Sequence, residues 1–186
     1  MEIAQSKTRD QFPLSSKIII KKTISGTIGC AFILFLIFLF GGGMMISLIL
    51  SSKGGFAWLG FVVIGFFILL FLVFFLTYLY QRWYFATYFY DLTPDFVQIK
   101  KGPITPREIT IPYERIQDVY VDQDLLDRFF GLYDVHISSA TFASGTQAHI
   151  DGVEKQAADG LREALLETVK QRIGKNRSSD NVAPNK

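Results

Sequence analysis

Charge is missing from two long stretches of this 186-residue chain: neither 24–50 nor 56–80 contains an Asp, Glu, Lys or Arg. A pore or carrier normally places ionisable side chains inside the membrane to mark an ion or proton path, so neither function is expected here. Cysteine is nearly absent too. The single Cys30 excludes a disulfide framework and a cysteine-based zinc site, and it suits a reducing compartment. Histidine is limited to His136 and His149, short of the three or four ligands a usual metal site wants. There is no G-x-S-x-G, P-loop, G-x-G-x-x-G or Ser/His/Asp arrangement, so no enzyme and no cofactor is expected. Basic excess is also lacking where it would matter. Residues 81–186 carry thirteen Lys and Arg against fifteen Asp and Glu, whereas a nucleic-acid partner calls for a basic face.

What is present begins with the two uncharged runs themselves. Each exceeds the ~20 residues needed to cross a ~30 Å hydrocarbon core. In lipid every backbone N–H and C=O must be satisfied within the segment, so both runs are expected to be helices. Residues 51–55 join them, which makes 24–80 a two-helix transmembrane hairpin spanning the bilayer at 24–50 and 56–80. Lys7, Arg9, Lys17, Lys21 and Lys22 precede the first run and Arg82 follows the second, against Lys53 alone in the joining loop. The positive-inside bias of six to one predicts cytoplasmic termini and a multi-pass protein of the cell membrane. Residues 1–23 read as a cytoplasmic N-terminal segment. A cleaved signal peptide is the competing reading of Lys21-Lys22 and the run after them. The run is too long for one, and a second span follows it.

From Trp83 onward the apolar period changes to two. Tyr88-Phe89-Tyr90, 96–100, 109–111, 116–121, 135–137 and 148–150 read as short antiparallel strands, six or seven in all, separated by turns rich in Pro, Gly and Asp. Leu125, Leu126, Phe129 and Phe130 stand at helical spacing and predict a short turn of helix. The chain closes with a helix whose stripe is Ala157, Ala158, Leu161, Ala164, Leu165, Val169 and Ile173. Asp151 and Glu154 form a capping-box-like start for it. The polar residues 174–186 are expected to be disordered.

The fold class expected is therefore a transmembrane α-helical hairpin followed by a mainly-β domain over 82–173 with a C-terminal α-helix. The stretch Tyr90-Asp91-Leu92-Thr93, then Lys101-Gly102, Ile111-Pro112, Arg115-Ile116-Gln117-Asp118-Val119, Leu126 to Arg128, Phe130-Gly131-Leu132 and Asp134-Val135 resembles the membrane-anchored bacterial pleckstrin-homology (PH)-like domain of the YdbS type. The resemblance covers residues 82 to about 173, and the two preceding runs fit the same layout. It implies a curved antiparallel sheet closed at one end by the C-terminal helix, and it implies no catalytic residues.

Four residue groups are candidate sites. Gly41, Gly42 and Gly43, with Gly60 and Gly65 on the second run, are small enough to let helices approach closely; they predict packing of the two spans, with contact to another membrane protein as the alternative. Lys100, Lys101 and Arg107 flank one turn and suggest anionic-lipid headgroup binding, much as eukaryotic PH domains use a basic loop, although that loop lies between the first two strands. The plainer reading is solvated strand ends. His136 and His149 are expected on the outer face of the last hairpin, opposite one another if its loop near 141–145 has four residues, or with His136 opposite Asp151 if the loop differs slightly, and as exposed polar residues rather than metal ligands. Asp118, Asp122, Asp124, Asp127 and Asp134 lack EF-hand spacing and read as a solvated face. The function expected is a non-catalytic integral membrane protein whose PH-like domain binds other proteins or itself. Anionic-lipid binding is the alternative.

Overall fold

The computed structural model describes residues 6–50, 55–139 and 148–180, with the backbone alone for 41–50, 55–59, 173 and 175–180. Contacts divide the chain into two units. One is Ile19–Trp83; the other comprises the described residues up to Ile18 and from Tyr84 onward.

The first of these units is two helices, within α2 (Lys17–Leu50) and α3 (Gly55–Thr87). At 1.5 Å rise per residue, helices of 34 and 33 residues extend about 50 Å each, and both are long and apolar enough to cross a membrane. They exceed the uncharged runs at their outer ends, because backbone hydrogen bonding continues through flanking polar residues such as Lys21 and Arg82. Gly26 lies close to Thr77, where an added Cβ would come within 3.3 Å of its methyl group, and Phe38 meets Phe66 at 5.3 Å between ring centroids. No described atom lies within 4 Å of a Cβ placed at Gly60 or Gly65. The surroundings of Gly41, Gly42 and Gly43 fall outside the described residues.

The second unit holds two three-stranded antiparallel sheets. Strands β1 (Phe89–Leu92), β2 (Phe96–Lys101) and β3 (Arg107–Pro112) form one, in that order. A 3-10 turn, Tyr113–Arg115, leads to β4 (Ile116–Asp122), α4 (Leu125–Phe130), β5 (Leu132–Ser139) and β6 (His149–Glu154), with β5 central in the second sheet. Alternation decides which side chains enter the core: Val97 and Ile99 are buried while Gln98 and Lys100 are not, and Val135 and Ile137 flank the outward His136. Helix α5 (Lys155–Asp180) packs on β4, β5 and the 3-10 turn. It buries Ala158, Leu161, Leu165 and Val169, the expected stripe at helical spacing. This is the PH-like sandwich with a C-terminal helix that the resemblance implies.

Three boundaries differ from the sequence expectation. The N-terminal segment is not separate from the β domain. Residues 6–18 form a strap along it, starting with α1 (Lys7–Gln11), whose first turn is capped by Ser6. Ser6 Oγ donates to Tyr90 O at 2.6 Å, and Leu92 N donates to Thr8 Oγ1 at 3.0 Å, so the strap covers the open edge of β1. Leu14 then bridges to Val153, and Ser15 N donates to Gly152 O at 2.9 Å, covering the edge of β6. The strap's apolar side chains enter two glycine notches. A Cβ at Gly152 would sit 2.3 Å from Ile18 Cδ1, and one at Gly160 2.4 Å from Phe12 Cε1. Gly152 also has φ +70°, which an L side chain adopts at a cost. Unpaired strand edges template aggregation, and here the chain supplies its own cover.

Asp151 is the second correction. It is a buried residue of β6 and not a helix cap; the helix starts at Lys155 because β6 continues to Glu154 for pairing with Leu132. Third, α5 runs on through Gly174 to Asp180, into the stretch expected to be disordered, while 181–186 fall outside the described residues. The expected loop at 141–145 also lies outside them.

Candidate functional site

The basic hairpin is built as expected, since Lys101 ends β2 and Arg107 opens β3 as register partners. The pleat then separates the two lysines. Lys100 faces out and pairs with Glu108 at 3.4 Å. Hydrogen bonds from Gln98 and then Lys100 hold the Glu108 carboxyl below its usual range. Lys101 follows Val97 and Ile99 on the inner side, its side chain only 12% exposed. Its Nζ lies 3.5 Å from Asp151 Oδ1 and 5.2 Å from the centre of the Tyr88 ring. Lys100 and Lys101 therefore do not converge with Arg107 on one point.

Lys101 instead closes a clamp between the sheets. The buried Tyr88 hydroxyl donates to His149 O at 3.1 Å and accepts from Asp151 N at 3.3 Å. Burial first, and the Asp151 charge second, push the Tyr88 phenol well above its usual pKa. Burial also raises Tyr113, to about 12, and its hydroxyl donates to Thr93 O at 2.9 Å.

Outside this clamp runs a cross-strand ladder. Tyr120, His136 and His149 are neighbours on β4, β5 and β6. Tyr120 and His136 stack at 4.9 Å, and His136 and His149 at 5.3 Å. Of the two pairings open to His136, with His149 or with Asp151, the one with His149 is present. Each imidazole Nε2 faces a carboxylate two residues along a neighbouring strand or its own: Asp122 at 3.2 Å from His136, Asp151 at 2.9 Å from His149. Among the described residues no three His, Cys, Asp or Glu side chains are grouped to hold a metal ion.

The acidic stretch is not one solvated face. Asp127 is buried inside α4, Asp124 caps that helix by accepting from Asp127 N at 2.7 Å, and Asp134 accepts from Gly152 N at 2.7 Å. Asp118 accepts from the next backbone N–H, at Val119. For Asp118 and Asp124 the short carboxylate suits a local task, reaching a backbone donor one or three residues away, while Asp134 reaches across to the neighbouring strand.

Helix α4 carries the feature that spacing alone did not single out. Asp124 caps its start, and Gly131 ends it in the left-handed region at φ +68°. Gln123 Nε2 donates to Leu132 O at 2.9 Å just beyond. Held at both ends, α4 buries Asp127 and turns Leu125 and Phe129, four residues apart, to the outside at 85% and 82% exposure. Phe130 meets the Phe129 ring edge-on at 5.2 Å and supports it. The available signal was helix length: a six-residue helix with four large apolar residues cannot bury them all on one face.

A family model described as Bacterial PH domain matches residues 31–169, which is 139 of 186 positions. Its match starts within α2 and ends within α5, so it takes in both long helices as well as the two sheets. No curated protein and no solved structure gives a significant match.

Proposed function

The chain belongs to the bacterial PH domain family, and from that premise we propose that it is an integral membrane protein whose PH-like domain binds a protein partner on the cytoplasmic side and catalyses no reaction. Helices α2 and α3 serve as the two spans, with the basic residues on either side of them setting the orientation. The observation that carries the binding role is α4: a capped helix holding Leu125 and Phe129 almost fully exposed. Leaving such side chains in water forgoes about 1.5–3 kcal/mol each, and the caps prevent the helix from rotating to hide them. Rigid apolar anchors of this kind are what protein interfaces bury at their centres. Division of Lys100 from Lys101 across the two faces of β2 weighs against anionic headgroup binding as the main role.

A photo-crosslinking side chain at Phe129, in the full chain in its native membrane, tests this. A discrete protein adduct is expected at Phe129 and not at Glu163 on the exposed side of α5. Adducts with lipid alone would overturn it.

A further inference from the structure

Helix α4 and a cleft lie at the same end of the second sheet. α4 runs through Gly131 into β5 at Leu132, and the register partner of Leu132 is Glu154, the last residue of β6. Glu154 borders a cleft of about 430 Å³ lined by Phe12, Pro13 and Leu14 of the strap and by Gln156 and Ala157 of α5. Phe12, Pro13, Leu14 and Ala157 give it an apolar half, Gln11, Ser15, Glu154 and Gln156 a polar one, and its volume accommodates a Leu and a Phe side chain. The same end of the sheet thus carries an apolar knob and a partly apolar hole. That is the requirement for an isologous contact, in which the knob of each copy enters the hole of the other about a two-fold axis.

Charge agrees with this pairing. The knob is flanked by the exposed Asp122, Asp124 and Arg128, a rim of net negative charge. The exposed Lys17, Lys155 and Glu154 stand beside the cleft, a rim of net positive charge, with Lys17 at 3.3 Å from Glu154. Rim charges of opposite sign favour this docking over others and orient it. They also favour a protein over an anionic bilayer, which Asp122 and Asp124 would repel.

We propose that the partner of this domain is a second copy of the same chain, with Leu125 and Phe129 of each entering the Phe12–Leu14–Ala157 cleft of the other. This rests on the protein-binding reading above and names its occupant. Because the cleft is half strap, the contact exists only while residues 6–18 are seated, so dimerisation and closure of the β1 and β6 edges are linked.

The test uses the full chain with Cys30→Ala. Two differently tagged copies, one with Arg128→Cys at the exposed position beside Phe129 and the other with Gln156→Cys, are co-expressed and oxidised in the membrane. Each copy holds one thiol, so every adduct is intermolecular. A hybrid 128–156 adduct exceeding both same-site adducts is expected. Leu125→Arg in both copies, at a position 85% exposed and outside the core, should cut the hybrid adduct about tenfold, the change about 1.4 kcal/mol makes in an equilibrium, with the melting temperature kept. A 128–128 adduct exceeding the hybrid, or no hybrid adduct from variants that melt like the parent, overturns the proposal. A photo-adduct at Phe129 with a different protein overturns self-pairing and leaves the protein-binding reading standing. Lipid adducts alone overturn both.

Discussion

Phe40 and Phe71 on the long helices are 83% and 71% exposed, much like Leu125 at 85% and Phe129 at 82% on α4. Equal exposure has two meanings here. On α2 and α3 it recurs around the whole helix: Phe32, Ile33, Ile37, Phe61, Phe67 and Ile68 are all exposed as well. A helix apolar on every side has no core-facing stripe, and its surroundings as a whole must be apolar. On α4 the exposure stops at two side chains beside the exposed Arg128 and Asp124. A patch that small, with charges around it, fits a pocket and not a solvent. The pattern of exposure, more than its amount, distinguishes α2 and α3 from α4.

The comparison breaks most visibly if the long helices tolerate charge. Ile68→Arg, Phe71→Arg and Phe75→Arg together place three guanidiniums mid-helix, where insertion scales assign about 2.5–3.5 kcal/mol each, enough to offset the roughly 0.3–0.6 kcal/mol gained by each apolar residue of the run. The expected outcome is loss of the protein from the membrane fraction, measured by carbonate extraction and blotting. An Arg at Phe129 and at the exposed Leu125 should leave membrane content unchanged. Equal behaviour at both sites would mean that exposure on α2 and α3 has the same cause as on α4.

A similar loss is expected inside the β domain, where charge is buried instead of excluded. Asp151→Ala removes the partner of Lys101 and His149 and leaves a lysine that is 12% exposed without its carboxylate. Breaking one side of a buried pair costs about 3 kcal/mol, to be read as a lowered denaturation midpoint of the β domain in detergent. Lys101→Met/Asp151→Leu together should recover much of it. Failure of the double variant to recover would show that Asp151 acts chiefly through His149.

Alkaline titration adds a graded version. Tyr113 and Tyr88 are raised in the folded state, so folding favours their protonated forms. Their contribution is fully present below the unfolded value near pH 10 and is lost as pH rises through the folded value, about 12 for Tyr113. Tyr113→Phe should therefore reduce the fall in stability between pH 10 and 12, followed by circular dichroism. An unchanged slope would place Tyr113 in contact with water.

How much of this was legible in the sequence depends on distance along the chain. The two long apolar helices announce themselves because a missing charge is local information. The strands of 96–100 and 135–137 are legible from alternation, and the partner of His136 is narrowed to His149 or Asp151 because one hairpin links them, with loop length deciding between the two. The strap is not. Phe12, Leu14 and Ile18 are scattered among polar residues, and their partners lie some 140 positions later: Ser15 meets Glu154 across 139 residues. The glycines that receive them, Gly152 and Gly160, look like any loop or helix glycine until the opposing side chain is in place. Lys101 has the same problem, since its carboxylate is 50 positions away; nothing at Lys100-Lys101 tells which lysine the pleat turns inward. Asp151 with Glu154 satisfies a capping pattern, and pairing of β6 with β5 overrides it.

The two neighbouring lysines give the comparison its finest grain and the smallest expected effects. Lys100→Glu exchanges an outward cation beside Glu108 in a pair where both side chains are more than a third exposed. Such pairs contribute little to stability, and the new carboxylate opposite Glu108 is solvent-exposed and costs only a little, so its melting temperature should fall only slightly below the parent's. Lys101→Glu sets a second carboxylate against Asp151 in a nearly closed space, and should melt well below it. Run in nanodiscs of anionic and of neutral lipid, the pair also isolates headgroup binding. If α4 and not the basic hairpin is the functional surface, the shift between the two lipids is the same for Lys100→Glu and the parent. A loss of that shift in Lys100→Glu, with melting in neutral lipid only slightly lowered, would reassign function to the hairpin, because in that variant there is too little unfolding to account for it.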